Sequence, residues 1–230
     1  MIDVADGQPV VLVGHSIGGM TTLTFCRLFP EALGTRVAGL VLVHTTYVNP
    51  VRTTTLASLN TALERPVIVP LLHLAIWLSP LVWLMTWLSY MNGSAHMSTK
   101  MSGFAGTESW QQVDFASRYG VYISPAVLAR GMFGMLSYDA TATLKTIRIP
   151  TLVVPANQDP VCKPEASERI SHDVPAAQLT PLVPAKHMGF MEHNKQFAAL
   201  VADFAEDCLH TASSSKKKVN SSLKDRVLAN

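Results

Sequence analysis

Charge is scarce in this chain. Asp, Glu, Lys and Arg make up 15% of its 230 residues, which leaves little charge to cover a surface. The net charge of +2 is also unevenly spread. Lys216, Lys217, Lys218, Lys224 and Arg226 crowd the last stretch against Asp225 alone. The body therefore lacks the basic excess that nucleic-acid binding needs. Cysteine is scarcer still. Cys26, Cys162 and Cys208 are odd in number, far apart and form no Cys-x-x-Cys, which points to neither a disulfide framework nor a zinc site. A reducing, cytoplasmic setting is the expectation. The opening residues, Met1-Ile2-Asp3-Val4-Ala5-Asp6, contain no apolar run of the secretory kind.

Against these absences, 48% of the chain is hydrophobic, and its length suits one sizeable domain with room for an insertion. The central stretch is Val10-Val11-Leu12-Val13-Gly14-His15-Ser16-Ile17-Gly18-Gly19-Met20. A β-prone run enters Gly-His-Ser-Ile-Gly, and Thr22, Leu23, Phe25, Leu28 and Phe29 follow at helical spacing. This is a strand, a tight turn and a helix, with Gly14 and Gly18 expected to let strand and helix approach while Ser16 sits strained at the tip. Amide N–H groups at the helix start would face a developing oxyanion. The glycine spacing fits neither a dinucleotide nor a P-loop pattern.

Gly14-His15-Ser16-Ile17-Gly18 resembles the nucleophile elbow of the α/β-hydrolase family. The resemblance implies a serine esterase, lipase or related acyl hydrolase, with an acid and a histidine later in the chain. Other continuous apolar runs suit buried parallel strands: Val37 to Val43, Ile149 to Val154 and, more weakly, Gln178 to Val183, where Pro181 restricts the strand to an edge or an end. Helical patterns lie near 18–30, 163–172 and 194–209. The expected fold is α/β, a hydrolase-like parallel sheet flanked by helices. Residues 1–47 form its first part, 48–147 a helical cap or lid, 148–210 its second part and 211–230 a disordered basic tail. About four strands precede the elbow in the family and only nine residues precede the first strand here. The sequence therefore reads as an N-terminally truncated fold, with weakened activity, one oxyanion donor missing and an open strand edge prone to self-association.

Two catalytic partners for Ser16 follow from position. His187, in Pro184-Ala185-Lys186-His187-Met188-Gly189, lies in a loop after the last strand. His193 is its rival and reads as a surface residue entering the final helix. Asp159, in Asn157-Gln158-Asp159-Pro160, follows the third strand at the same sheet end; a plain turn role before Pro160 is the alternative. Ile17 offers its backbone N–H to the oxyanion. His15 should point into supporting structure or the pocket, and His44 should border the pocket or pack beside it.

No charged residue falls between Arg65 and Lys100, and Trp77, Trp83 and Trp87 lie within that span. Pro70 and Pro80 break it into two short helices, near 71–79 and 81–91. Three readings stay open for it: a lipophilic pocket lining, peripheral membrane contact through 66–91, and a true membrane span. A helix is expected over Pro125 to Leu136. Trp83, Trp87 and Met132 are the candidate pocket residues, with Phe133 and Met135 on the same helix placed to face the pocket as well. The expected function is cleavage of carboxylic esters with apolar acyl chains, on small-molecule or lipid-like substrates, without metal or organic cofactor. The alternatives are a weakly active remnant or membrane-associating module, or another chemistry of the fold such as perhydrolysis, acyl transfer or C–C hydrolysis.

Overall fold

The computed structural model describes residues 7–228, with side chains through residue 214. Residues 1–6 and the side chains of the terminal lysines lie outside the described residues. Four parallel strands form the sheet in the order β1 (Val10–His15), β2 (Val37–Val43), β3 (Thr151–Val154) and β4 (Ala177–Leu179). β2 is buried along its whole length, as a β-branched and leucine-rich run between two helical layers should be. The period of two sorts its side chains. Leu40 and Leu42 pack with Leu23, Cys26, Val153 and Ile170 on one face. Val41 and Val43 pack with Leu152, Val154 and Phe204 on the other. The first face is covered by α1 (Ile17–Leu28), the short α8 (Thr141–Leu144) and α9 (Pro164–Asp173), the second by α11 (Asn194–Leu228). Pro181 acts as expected: β4 stops at Leu179, and only an isolated bridge from Ala156 to Leu182 continues the pairing.

A helical insertion, at the place where the sequence reading expects a cap, lies between β2 and β3. It contains α2 (Ala57–Leu63), a π-helical turn over Glu64–Ile68, α3 (Val69–Trp77), α4 (Ser79–Met91), α5 (Ser94–Gly103), α6 (Trp110–Tyr122) and α7 (Pro125–Leu136). Pro80 sits in the first turn of α4, where its missing N–H costs nothing, and the chain bends by 95° between the α2–α3 stretch and α4. Among the described residues no single helix is long and apolar enough to cross a membrane, although this bent pair passes such a test together. The ends of the insertion meet where Ala140 N–H donates to Tyr47 O (2.7 Å) and Val48 bridges Asp139. Ala140, Leu144 and Ile147 already belong to the sheet's core, so core packing resumes before residue 148.

One expectation is overturned. The final helix does not give way to a disordered tail at residue 211 but continues to Leu228. No glycine or proline follows Gly189, so nothing in the backbone chemistry stops the helix, and Ala, Ser, Lys and Leu all tolerate it. Polar composition suggested disorder; helix propensity without a stop signal prevails.

Candidate active site

Ser16 stands between the end of β1 and the start of α1 with φ 52° and ψ −119°, a conformation L-residues adopt only when their surroundings impose it. Its surroundings are specific. A Cβ on Gly14 would lie 2.5 Å from Gly18 O and 2.7 Å from Gly19 N, while one on Gly19 would lie 2.5 Å from Thr45 Oγ1. The close approach is therefore made at Gly14 and Gly19. Gly18 was expected to share that role, yet a Cβ added there would meet nothing within 4 Å. Thr45, fully buried, donates its hydroxyl to Ser16 O (2.7 Å) and so holds the turn from below. Gly14→Ala should lower stability by about 3 kcal/mol, since rigid backbone must shift. Gly18→Ala, within a helix and meeting no neighbour, should be neutral or stabilising by up to about 1 kcal/mol. Urea unfolding of both variants checks the pair, and equal losses would contradict this packing.

Three side chains converge above this turn. Ser16 Oγ is 2.9 Å from His187 Nε2, and His187 Nδ1 is 2.8 Å from Asp159 Oδ2. Asp159 is 3% exposed and His187 8%. The other carboxylate oxygen, Oδ1, accepts from the N–H groups of Val161 (2.8 Å) and Cys162 (3.0 Å). Asp159 therefore presents Oδ2 to the imidazole in one orientation. With Nδ1 donating to the carboxylate, Nε2 keeps its lone pair toward Ser16 and accepts the hydroxyl proton. The Ile17 N–H opens α1, in the first turn whose donors have no partner within the helix.

The loop that carries His187 is tied on several sides. Ala185 N–H donates to Asn157 Oδ1 (3.0 Å), Gln158 N–H to Ala185 O (2.9 Å), Met188 N–H to Gly103 O (2.8 Å) and Lys186 Nζ to Met101 O (2.7 Å). His193, the rival base, caps α10 (Gly189–Glu192) and its Nε2 contacts Pro184 O at 2.7 Å. His15 and His44 lie beneath the loop, each in contact with His187 O. Burial is the largest cause holding each ring's pKa down to about 4. For stability the sign follows directly. The unfolded rings bind protons near pH 6.5 and the folded ones only near 4, so their neutral burial is free above pH 6.5 and destabilising as pH falls through that window. Stability should fall by about 1.4 kcal/mol per pH unit for each ring between pH 6.5 and 4. His15→Gln and His44→Asn should flatten that slope in denaturant titrations across pH.

The remaining pocket expectations fare differently. Trp83 donates to Val121 O (2.9 Å) and packs edge-on to Trp87, which meets Tyr90; these contacts are within the cap. A cleft of about 250 Å³ begins at the elbow, and of the three α7 candidates Met135, rather than Met132 or Phe133, lines it, with Ile17, Met20, Thr24, Gly131, Gly134 and Tyr138. Among the described residues no group of three or more His, Cys, Asp or Glu side chains is placed to hold a metal ion. Thr45, Gly19 and the amides of Val161 and Cys162 escaped the sequence reading. Their signals are faint: a threonine just past a strand end, and two residues following an Asp-Pro turn.

A parallel α/β sheet with a strained serine on its strand-to-helix turn, and a helical insertion after the next strand, defines a hydrolase-type fold. The chain belongs to the alpha/beta hydrolase family, whose sequence profile matches residues 2–200. Its fold is similar to an esterase from Thermogutta terrifontis, with a TM-score of 0.68 and 18% identity, over 90% of this chain and 68% of that one. It is similar to a bromoperoxidase from Bacillus anthracis (TM-score 0.68, 15% identity, 89% and 70% covered). The enol-lactonase of Burkholderia xenovorans LB400 is a third (0.61, 16%, 88% and 68%). Over 78 residues the chain is 33% identical to Polyketide synthase ThaQ of Burkholderia thailandensis, a stretch of 34% of this chain and 4% of that protein.

Proposed function

We propose that the chain is a serine hydrolase cleaving carboxylic esters with apolar acyl groups. The observation that carries this reading is the continuous path from Ser16 Oγ to His187 Nε2 (2.9 Å) and from His187 Nδ1 to Asp159 Oδ2 (2.8 Å). Ser16 Oγ attacks the ester carbonyl as its proton passes to His187 Nε2. The imidazolium is stabilised by Asp159, and the oxyanion faces the Ile17 N–H. Collapse expels the alcohol, which takes the proton from His187, and leaves an acyl-Ser16 ester. Water, deprotonated by the same ring, then releases the acid. The apolar preference rests on the cleft beside Ile17, lined by Met20, Met135 and Tyr138 together with Thr21, Thr24, Gly131 and Gly134. Among the structural neighbours, an esterase and an enol-lactonase lie on the same side as this reading, and a bromoperoxidase marks the perhydrolase alternative. The test is a fluorophosphonate probe followed by peptide mass mapping. An adduct on the Ser16 peptide is expected, and folded protein that takes up no probe rejects the reading.

A second reading has its own observation. Trp77 is 79% exposed and Met91 71%, and Leu71, Leu81, Leu84, Met85 and Leu88 are exposed too, on helices with no charged residue from 66 to 99. Such a surface suits contact with a lipid interface. Flotation with phosphatidylcholine vesicles should carry the protein upward and should be reduced by Trp77→Ser combined with Met91→Ser. Identical flotation of both proteins would remove this reading.

A further inference from the structure

We infer that His15 and His44 are positioning residues for the base, holding the His187 backbone from below through its carbonyl oxygen. The inference rests on the proposed role of His187 and adds two residues whose side chains hydrogen-bond neither Ser16 nor Asp159 in the contacts described above.

His15 Nε2 lies 2.9 Å from His187 O and His44 Nδ1 lies 3.0 Å from the same oxygen. The two rings meet at 80°, with centroids 5.7 Å apart, so they reach the carbonyl from different directions. A peptide oxygen has two lone pairs and cannot give up a proton, so both rings must donate. This fixes their tautomers: hydrogen on Nε2 of His15 and on Nδ1 of His44. It also excludes a proton-relay role through this contact, because a carbonyl passes no proton on.

His44 is the more telling of the two. It is 1% exposed, takes φ 41° at the end of β2, and leaves its buried Nε2 without a partner. Left-handed backbone and an orphaned buried nitrogen both disfavour this residue. An apolar side chain of similar volume would avoid the orphan. What such a chain would lack is the Nδ1–H aimed at His187 O. Gly189 completes the fit, since a Cβ there would collide with Ala185 Cβ and lie 3.4 Å from His44 Cε1. The asparagine and cap contacts hold the loop at Ala185, Lys186 and Met188. The two imidazoles hold the peptide of the base itself. Ångström-scale displacement of a catalytic group can cost ~10²-fold in rate.

The experiment uses amide side chains as partial imidazole mimics. A glutamine nitrogen reaches the position of His Nε2, and an asparagine nitrogen that of His Nδ1. H15N, whose shorter amide falls short of the His187 carbonyl, and H44L, which has no donor, should lower kcat on p-nitrophenyl butyrate by about 10- to 100-fold with KM within twofold. H15Q and H44N should recover most of that loss. Circular dichroism and thermal melting are read in parallel. Rates that follow only the folded fraction, or no difference between H15Q and H15N, would overturn the inference. If His44 variants fail to fold, the His15 pair and one further measurement still decide. Imidazole 15N–1H NMR on the unaltered protein should find His15 as the Nε2–H tautomer and His44 as the Nδ1–H tautomer. The opposite tautomer at either ring overturns the inference whether or not the protein turns over. An unaltered protein that takes up no fluorophosphonate and cleaves no ester would instead refute the hydrolase reading, with the tautomer result standing apart.

Discussion

Ser16→Ala is expected to lower kcat for ester cleavage by about 10⁶-fold while leaving the fold intact. The variant keeps the imidazole, the carboxylate and the Ile17 amide, but nothing remains to form the acyl intermediate. His187 Nε2 loses its 2.9 Å partner and can only assist water directly. Alanine is tolerated sterically, although φ 52° at this position was already strained with serine. Progress curves on p-nitrophenyl butyrate, with circular dichroism on the same sample, give the comparison. Activity within tenfold of the parent would remove Ser16 from the mechanism.

Asp159→Asn carries the next largest effect, a fall of about 10⁴-fold, and the acid loop explains why. The Val161 and Cys162 amides both donate to Oδ1, so the asparagine oxygen is retained there. The NH₂ group is left facing His187 Nδ1. A donor in that place requires the lone pair on Nδ1, which moves the ring hydrogen to Nε2 and denies Ser16 its base. The prediction is thus a tautomer error rather than a hole. Melting temperature should change little, and His187 should appear as the Nε2–H tautomer by 15N NMR. A variant with parental kcat would show that Asp159 is only a turn residue before Pro160.

Much of this arrangement was legible in the sequence because its signals are local. A strand run ending in Gly-x-Ser-x-Gly names its own turn. Asp159 could be placed because it follows an apolar run that reads as a buried strand, and His187 because it follows the weaker run whose Pro181 marks a strand end. The details that needed tertiary contact were not readable. Whether Gly18 or Gly19 is the crowded glycine depends on Thr45, which the sequence separates from the turn by a whole helix. That His15 and His44 share one carbonyl depends on a loop far along the chain. The cap was readable only in outline, since α5 has a weak apolar pattern. The Ser109–Gln112 capping box that opens α6 is the strong local signal within it. The helix through residue 211 is the opposite case, since a polar stretch with no glycine or proline carries a disorder signal and a helix signal at once.

The cap is fastened to the catalytic half unequally. Lys186 Nζ and Met188 N–H hold the end of α5, Glu192 accepts from the Ala105 and Thr107 amides, and Gln112 Nε2 contacts Met191 O. Residues 101–112 are therefore stapled to the same short segment that carries the base, and they can swing away only by dragging His187 off Ser16. The tether reaches further, because α4 is tied in turn to α6 by Trp83 Nε1 on Val121 O and the Tyr90 hydroxyl on Asp114 Oδ1.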